Sequence, residues 1–257
     1  MKSIAPTAAA ILGLEKPAPA TEAPVAPILS DLAGSRHLAI LAPDALGILP
    51  WTLWKNRMPF LSFLHDKHSV LLEAAMPSKT PVNFACMLTG AELAAHGMNT
   101  RDMDFKCETL FDVIRRAGGK SAGAGEKRKT ADLLLGRYAD FAWITECHSS
   151  ADAISDLILQ GFRRESPMFL IAQYALVDTV FHKYGPSDPA VVPMLEDLDR
   201  SLEKLVPGLA DSGADIILLA DHGQHDVPEP PGGGNRGTHG TDTPEDRLVP
   251  CTWVKRG

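Results

Sequence analysis

The sequence predicts an α/β protein with a mainly parallel central sheet and helices on both faces. Short apolar runs alternate with helical patterns along most of the 257 residues, and such alternation favours parallel strands joined by helices. Apolar residues make up 45% of the chain and charged residues 22%, which is ordinary globular usage. A chain of this length can form a complete core without disulfides. We therefore expect one α/β domain covering residues 1–257.

Six apolar runs have the length and composition of buried strands with both faces covered. They span residues 37–42, 70–75, 141–145, 168–172, 216–220 and 248–254. Helices are predicted over residues 81–90, 108–117, 150–163 and 189–210, the last with leucines at three- and four-residue steps. The glycine-rich segment 230–237 is predicted to be a flexible loop.

The first 36 residues are predicted to form a short helix followed by a connector. Residues 17–36 contain four prolines among small residues, which favours an extended segment, so the α/β body is expected to begin near His37. Residues 1–20 have some features of a secretory leader, but the single early lysine and Pro6 weigh against it. The N-terminal apolar run is too short to span a bilayer, and no membrane partner is expected.

Charge and cysteine content narrow the classes of partner and compartment. The chain carries 32 acidic and 25 basic residues, a net charge of -7, and so lacks the basic footprint of a nucleic-acid duplex binder. Four cysteines, at positions 86, 107, 147 and 251, form no CxxC pair. This favours a reducing, cytoplasmic location over a secreted or periplasmic one. The oligomeric state stays open.

Carboxylates and histidines recur after the predicted strands, where ligands sit in open α/β sheets, and one more histidine, His239, follows the glycine-rich loop. The six positions are Asp44, Asp178, His182, Asp221, His222 and His239. Each of these alone would commonly be a turn, cap or solvated residue. Together, carboxylates and imidazoles suit two divalent ions such as Zn, Mn or Fe. Their recurrence at one edge of the sheet indicates a metal centre.

A nucleophile candidate lies at the start of the predicted helix 81–90. Thr80 precedes Pro81 and would cap this helix, with its hydroxyl where the helix dipole and free N–H groups favour an anion. Asn83, one turn on, could donate its amide to a phosphoryl oxygen. The alternative is that Thr80 is only an N-cap, and the segment by itself favours that interpretation.

The ordered set of motifs resembles the alkaline phosphatase superfamily, and most of all its nucleotide pyrophosphatase/phosphodiesterase branch. The resemblance spans residues 38–254. It rests on Asp44, Thr80 with Asn83, Thr89-Gly90, His96-Gly97, Asp178-x-x-x-His182, Tyr184-Gly185-Pro186, Asp221-His222-Gly223 and Gly237-Thr238-His239-Gly240. It implies an alkaline phosphatase-like fold.

The resemblance also implies a division of the ligands between two ions. One would be held by Asp178, His182 and His239, and the other by the following set: Asp44, Asp221, His222 and the Thr80 oxygen. Coordination lowers the pKa of a hydroxyl, so that Thr80 could attack phosphorus and form a phosphothreonine.

Two features depart from the family. The chain is short between His96 and Asp178, where relatives usually carry segments that shape the substrate pocket, so specificity is open. Residues 3–14 resemble a segment that in many members follows a strand like 248–254. The chain order would then be circularly permuted, with a helix over residues 5–14 docked beside the last strand and Met1 near Gly257.

These inferences predict a two-metal hydrolase of phosphodiester or nucleotide pyrophosphate bonds in small-molecule phosphate esters. A phosphomonoesterase, a phosphonoacetate-type hydrolase or a phosphosugar mutase would use a similar core. A catalytically idle metal-binding domain is the alternative from a different class. The basic run Lys127-Arg128-Lys129 could attract phosphate, although such a run is usually a solvated surface.

Overall fold

The computed structural model describes residues 1–228 and 231–256. Within them the chain forms a seven-stranded sheet and a separate two-stranded ribbon, both built from strands β1 to β9. The strands are Leu38–Pro43 (β1), Ser69–Glu73 (β2), Ser121–Glu126 (β3), Phe141–Thr145 (β4), Phe169–Tyr174 (β5), Asp215–Leu219 (β6), His225–Asp226 (β7), Gly237–Thr238 (β8) and Leu248–Val254 (β9).

The large sheet has the order β2-β9-β6-β1-β5-β3-β4. The five strands from β6 to β4 in this order pair in parallel, whereas β9 is antiparallel to both of its neighbours, β6 and β2. Every residue of β1, β5 and β6 is buried, as expected for strands covered on both faces. The predicted α/β class with a mainly parallel sheet is confirmed.

Helices surround this sheet and supply the second layer of the core. They are Ile4–Ile11 (α1), Ala26–Leu32 (α2), Ile48–Trp54 (α3), Pro59–Lys67 (α4), Thr80–Thr89 (α5), Leu93–His96 (α6), Leu110–Arg116 (α7), Gly136–Tyr138 (α8), Ala151–Glu165 (α9), Leu176–Tyr184 (α10), Val192–Asp211 (α11) and Pro244–Arg247 (α12). No helix in the described part of the chain is both long enough and apolar enough to cross a membrane.

Two strands of the large sheet differ from the sequence-based expectation, and the short strands β7 and β8 were not predicted. The run predicted at 70–75 is not covered on both faces: β2 is an edge strand whose residues alternate in exposure, with Leu71 55% exposed. The strand β3 was not predicted, because its sequence SAGAGE lacks the branched and aromatic residues that favour strands. Its small residues are required there, since a Cβ on Gly123 would lie 2.7 Å from the backbone of Leu135.

The N-terminal segment packs on the body of the protein. Helix α1 contacts α5 and α2, with Ile4 and Ile11 fully buried. The expectation of an extended connector over 17–36 was wrong in its second half, because α2 occupies 26–32 and buries Ile28 and Leu32. The proline-rich half lacks a regular element between α1 and α2.

The two ends of the described chain lie at opposite ends of β9. The Met1 amino group donates to the carbonyl oxygen of Glu73, which pairs with Leu248 at the start of β9. Arg256 instead bonds to Asp215, beyond the other end of that strand. The expected proximity of Met1 to Gly257 concerns a residue outside the described part, as does Pro230 of the loop predicted at 230–237. Circular permutation stays a prediction.

Candidate metal centre

The parallel strands bring the predicted ligands together at the carboxyl edge of the sheet. β1 lies between β6 and β5, so the residues that follow these three strands become neighbours. Helix α10 directly follows β5, α5 begins at this edge, and the β7–β8 ribbon ends beside it. The residues that converge are Asp44, Thr80, Asp178, His182, Asp221, His222 and His239. All seven predicted ligand positions therefore occupy one site.

The first ligand group, here called the Asp178 cluster, consists of Asp178, His182 and His239. Asp178 and His182 are four residues apart on α10, so they share one face of the helix. Nε2 of His182 lies 3.1 Å from Oδ1 of Asp178, and Nε2 of His239 lies 3.5 Å from the same oxygen. These donor atoms lie within 4.8 Å of one another, a spacing that a single ion can bridge.

The second group, here called the Asp44 cluster, consists of Asp44, Asp221 and His222 and is buried. Nε2 of His222 lies 3.2 Å from Oδ2 of Asp221 and 3.6 Å from Oδ1 of Asp44. The carboxylates are held in place by donors from outside the cluster. Gln173 Nε2 donates to Asp44 Oδ2, and the backbone N–H of Ala45 donates to Asp221 Oδ1.

The two clusters are contiguous, and Thr80 lies beside the second. The rings of His222 and His239 stack with their centroids 4.0 Å apart, which joins the clusters into one centre. Oγ1 of Thr80 lies 3.1 Å from His222 Nε2 and 3.5 Å from Asp44 Oδ1. Its hydroxyl therefore faces the Asp44 cluster.

The three histidines share one hydrogen-bonding arrangement. In each ring Nδ1 lies 2.8 to 2.9 Å from a backbone carbonyl oxygen, that of Gly237 for His182, Gly223 for His222 and Ser78 for His239. A carbonyl oxygen can only accept, so Nδ1 of each ring carries a proton and Nε2 faces the cluster, where the neutral ring offers a lone pair. Metal-binding histidines are commonly oriented by such bonds.

This arrangement fits divalent metal ions. A neutral Nε2 and a carboxylate oxygen are both acceptors, so their separations of 3.1 to 3.6 Å place lone pairs against each other. Oδ1 of Asp178 and Oδ2 of Asp221 are buried and accept no hydrogen bond from any described residue. Unpaired buried acceptors of this kind are costly. A cation between them would offset that cost, and the mixed carboxylate and imidazole set suits Zn, Mn or Fe.

The acid–base properties of the site reflect the same crowding. Burial, reinforced by the charges of Asp221 and Asp178, raises the pKa of Asp44 well above its ordinary value. Burial likewise raises the pKa of Asp221 to about 7, against the effect of the Ala45 N–H. Burial lowers the pKa of His239 to about 4. The two carboxyls of the Asp44 cluster thus resist charge unless a positive charge is supplied, whereas the facing histidines hold the pKa of Asp178 below its ordinary value in spite of its burial.

Two glycines allow the chain segments around the site to pack closely against each other. A Cβ on Gly223, which follows His222, would lie 1.9 Å from the carbonyl oxygen of Glu245. A Cβ on Gly237 at the start of β8 would lie 2.3 Å from the carbonyl oxygen of Phe181 in α10. Backbone therefore packs directly on backbone at both points, which brings the loop carrying His239 against the two clusters.

The structure corrects both expectations for the helix start. α5 begins at Thr80 itself, Lys79 is the capping residue, and no side chain caps this helix. Thr80 is therefore not the N-cap, and its hydroxyl faces the metal centre instead. Asn83 does not face the site: its side chain is fully buried, accepts from the Ala75 N–H, and donates to the carbonyl oxygens of Ala75 and Lys79. These hydrogen bonds hold the loop that precedes Thr80 in place.

Sequence reasoning missed several residues that support the ligands. Gln173 holds Asp44, and a polar residue inside the otherwise apolar run FLIAQY was the signal for it. Gln224 is buried, with its side-chain amide 2.9 Å from His182 Nδ1, and because Nδ1 carries a proton it is the amide oxygen that can bond to it. Asp246 accepts from the Thr241 backbone and hydroxyl and contacts His225 Nδ1 at 2.8 Å. It precedes a strand, so a search after strands could not find it.

Comparison with known proteins agrees with the motif pattern. The sequence profile of the type I phosphodiesterase/nucleotide pyrophosphatase family matches residues 126–243. The family resemblance is confirmed. The matched stretch includes the whole Asp178 cluster and the Asp221-His222 pair, whereas Asp44 and Thr80 lie before it.

Curated relatives include phosphoglycerate mutases, venom phosphodiesterases and a GPI ethanolamine phosphate transferase. A 2,3-bisphosphoglycerate-independent phosphoglycerate mutase from Halobacterium salinarum is 42% identical over 77 residues, which is 30% of this chain and 15% of the mutase. A venom phosphodiesterase from Naja atra is 24% identical over 202 residues, which is 68% of this chain and 24% of that protein. The chain thus matches a quarter or less of the length of each relative.

Solved structures show the same fold. Murine ectonucleotide pyrophosphatase/phosphodiesterase 5 in complex with AMP superposes with a TM-score of 0.61 at 17% identity, over 76% of this chain and 59% of that one. Phosphonoacetate hydrolase from Sinorhizobium meliloti in complex with phosphonoformate gives 0.58 at 21% identity, over 78% and 59%. The predicted alkaline phosphatase-like fold is confirmed by these matches.

Proposed function

We propose that the chain is a two-metal hydrolase that cleaves phosphodiester or nucleotide pyrophosphate bonds through a phosphothreonine on Thr80. One observation carries the proposal: the Thr80 hydroxyl lies 3.1 Å from His222 in a centre where two three-residue ligand groups are joined by stacked histidines. The phosphodiesterase family match over residues 126–243 supports the same reaction class.

Each of the two clusters offers the donor atoms for one metal ion. The Asp178 cluster would hold one divalent ion, and the Asp44 cluster with Thr80 Oγ1 would hold the other. Such ions lower the pKa of a bound hydroxyl and neutralise negative charge on a phosphoryl group. We propose Zn²⁺ as the native metal, with Mn or Fe as alternatives that the same ligands accept.

The chain's own residues then carry out two displacements. Thr80 Oγ1 loses its proton, for which Asp44 Oδ1, 3.5 Å away, is the acceptor within reach, because the Nε2 lone pair of His222 would be used by the ion. The oxygen attacks phosphorus, the Oγ1–P bond forms, and the bond to the leaving oxygen breaks. Water then attacks the phosphothreonine from the opposite side, the Oγ1–P bond breaks, and Thr80 regains a proton. Gln173 and Ala45 keep Asp44 and Asp221 oriented throughout.

A second candidate is phosphoryl transfer within a sugar-acid phosphate. The relative with the highest identity of those compared above is a phosphoglycerate mutase, matched over 30% of this chain. A mutase would return the phosphoryl group from Thr80 to another hydroxyl of the substrate instead of to water. The acceptor alone separates the two reactions, so product analysis distinguishes them.

The test combines metal content with a substrate panel. We expect purified protein to bind about two divalent ions per chain and to hydrolyse bis(4-nitrophenyl) phosphate, with activity removed by a chelator and restored by Zn²⁺ or Mn²⁺. The panel adds a phosphomonoester, phosphonoacetate, a nucleotide pyrophosphate and 3-phosphoglycerate. Metal binding without turnover of any compound would contradict the enzyme and favour a metal-binding domain.

We also propose a reducing compartment for this protein. Cys86, Cys107, Cys147 and Cys251 are all free thiols, and two of them, Cys86 and Cys251, are buried. Fractionation of cells that express a tagged full-length chain would test this, and recovery from the medium would contradict it.

A further inference from the structure

A cavity of about 440 Å³ opens beside the Asp178 cluster. Asp178 and His182 form part of its wall, and the other side chains facing it include Lys129, Thr179, Lys183 and Asn235. The cavity therefore adjoins the metal centre directly. A substrate whose phosphorus lay at the centre would extend part of itself into this space.

The sheet order explains why a lysine from the basic run reaches this cavity. Strand β3 lies next to β5, and Lys129 comes three residues after β3 at the same edge from which α10 begins. Nζ of Lys129 donates to Thr179 Oγ1 of α10 at 3.0 Å. Lys127, by contrast, points away and lies 3.5 Å from the exposed Glu146. Only one lysine of the run is directed to the site.

Two lysines on the cavity wall form no direct ion pair with a described residue, although Glu126 interacts electrostatically with Lys129 at longer range. Neither Lys129 nor Lys183 lies within 4.0 Å of a carboxylate of the described residues, and Lys183 Nζ sits over the ring of Tyr184. The nearest acid on the wall, Asp178, directs Oδ1 at His182 and His239. Lysine ammoniums with free donors beside a phosphoryl site are suited to bind an anion.

We propose that this cavity binds a second anionic group of the substrate, a carboxylate or a phosphate, through Lys129 and Lys183. The substrate class would be a phosphate ester or phosphonate that carries another anionic group close to the scissile phosphorus. None of the described residues that line the cavity is Phe, Tyr or Trp, and its one aromatic ring, that of His182, is turned toward Asp178 and His239, so the cavity offers little stacking surface for a nucleobase. This proposal rests on the proposed function and narrows its substrate.

The test compares substrates with and without the second anion. Phosphonoacetate supplies a carboxylate, inorganic pyrophosphate supplies a phosphate, and bis(4-nitrophenyl) phosphate supplies neither. Lys129→Met and Lys183→Met are compared with Lys127→Met, the control from the same basic run. All variants are assayed as full chains saturated with the same divalent metal.

We expect Lys129→Met to lower kcat/KM for a two-anion substrate about tenfold, which is the effect of losing one charge-assisted hydrogen bond. The loss should appear mainly in KM, and turnover of bis(4-nitrophenyl) phosphate should change less than about twofold. Lys127→Met should match wild type on every substrate. An equal fall on all three substrates, or no fall on either two-anion substrate, would overturn the proposal. The two-anion substrate that responds identifies the group as carboxylate or phosphate.

A binding experiment separates this proposal from the proposed function. Calorimetry with metal-loaded Thr80→Ala protein should show phosphonoacetate or pyrophosphate binding that weakens about tenfold when Lys129→Met is added. If wild-type protein turns over no substrate, this measurement still decides whether the cavity binds anions. Unchanged affinity in the double variant would reject the anion site even if the hydrolase is active.

Discussion

Asp178 and His182 lie one helical turn apart on α10, and Oδ1 of the aspartate is 3.1 Å from Nε2 of the histidine. His182 Nδ1 donates to the Gly237 carbonyl oxygen at 2.8 Å, which leaves Nε2 facing the carboxylate. When His182 is protonated the two side chains form an ion pair, which raises the pKa of His182 against the effect of burial. When His182 is neutral they offer two ligands to one metal ion. The four-residue spacing of the pair made it visible in the sequence.

The first prediction follows from that pair. His182→Ala should reduce bound metal from about two ions to about one per chain, because Asp178 and His239 alone are too few ligands for a stable site. Metal analysis by mass spectrometry after dialysis measures this. The exposed histidine at position 68 supplies the control: His68→Ala should keep the full metal content. Equal metal in both variants would show that the Asp178 cluster is not a binding site.

The second prediction concerns Thr80. Its hydroxyl makes no capping bond and faces the Asp44 cluster, so Thr80→Ala should remove turnover while the unfolding midpoint shifts little. Thr80→Ser keeps an oxygen at the same place and should retain measurable activity. Denaturation curves and metal analysis accompany the rate measurements. Full activity in Thr80→Ala would mean that water attacks phosphorus directly.

The third prediction concerns Asn83, the residue whose role differs from expectation. Its amide satisfies the Ala75 N–H and two carbonyl oxygens in a fully buried position. Asn83→Ala leaves these groups unpaired and should lower the free energy of unfolding by about 1–3 kcal/mol. Urea unfolding measures this, with the exposed Asn99→Ala as control. Wild-type stability combined with lost activity would instead return Asn83 to a phosphate-binding role.

The fold and the ligands were predictable because both rest on local patterns. Apolar runs indicated β1, β4, β5, β6 and β9, and ligands that follow strands are found by position alone. β3 was not predictable because its glycines are required by close backbone contacts. Gly123 packs against Leu135, in the helical segment that follows β3, and Gly125 packs against Gln173 of β5, which is distant in sequence. The same applies to Asn83 and Asp246. Asn83 bonds to backbone groups of Ala75 and Lys79, and Asp246 to Thr241 and the His225 ring, contacts that follow neither apolar periodicity nor strand ends.

The fourth prediction concerns acid stability. His96 is buried, and its Nδ1 accepts the N–H of Met98. Burial lowers the pKa of His96 to about 4 from its usual 6.5, so between these values the unfolded chain binds the extra proton. The contribution of neutral His96 to the free energy of unfolding is thus complete above pH 6.5 and is lost as pH falls toward 4.

The pH dependence can be assigned with one substitution. His96→Asn keeps an acceptor near Nδ1 but does not titrate, so its free energy of unfolding should fall less steeply over this range, by up to about 1.4 kcal/mol per pH unit. Urea unfolding at several pH values measures both slopes. Parallel slopes in wild type and variant would show that His96 does not contribute. The variant's lower stability at neutral pH does not affect the comparison.

The last prediction concerns helix α1, which the sequence pattern placed over residues 5–14 and which spans Ile4–Ile11. Ile4, Ala8 and Ile11 are fully buried, and the Thr7 hydroxyl accepts the N–H of Val25 before α2. The helix therefore fills space against α5, the helix that begins with Thr80.

Ile11→Ala should lower the free energy of unfolding by about 2–5 kcal/mol through the cavity it leaves, and removal of residues 1–16 should lower it further. Glu15→Ala, at an exposed position, is the control and should be neutral. An unchanged unfolding midpoint after the deletion would show that α1 does not stabilise the body, and the idea of a circularly permuted helix would fall with it.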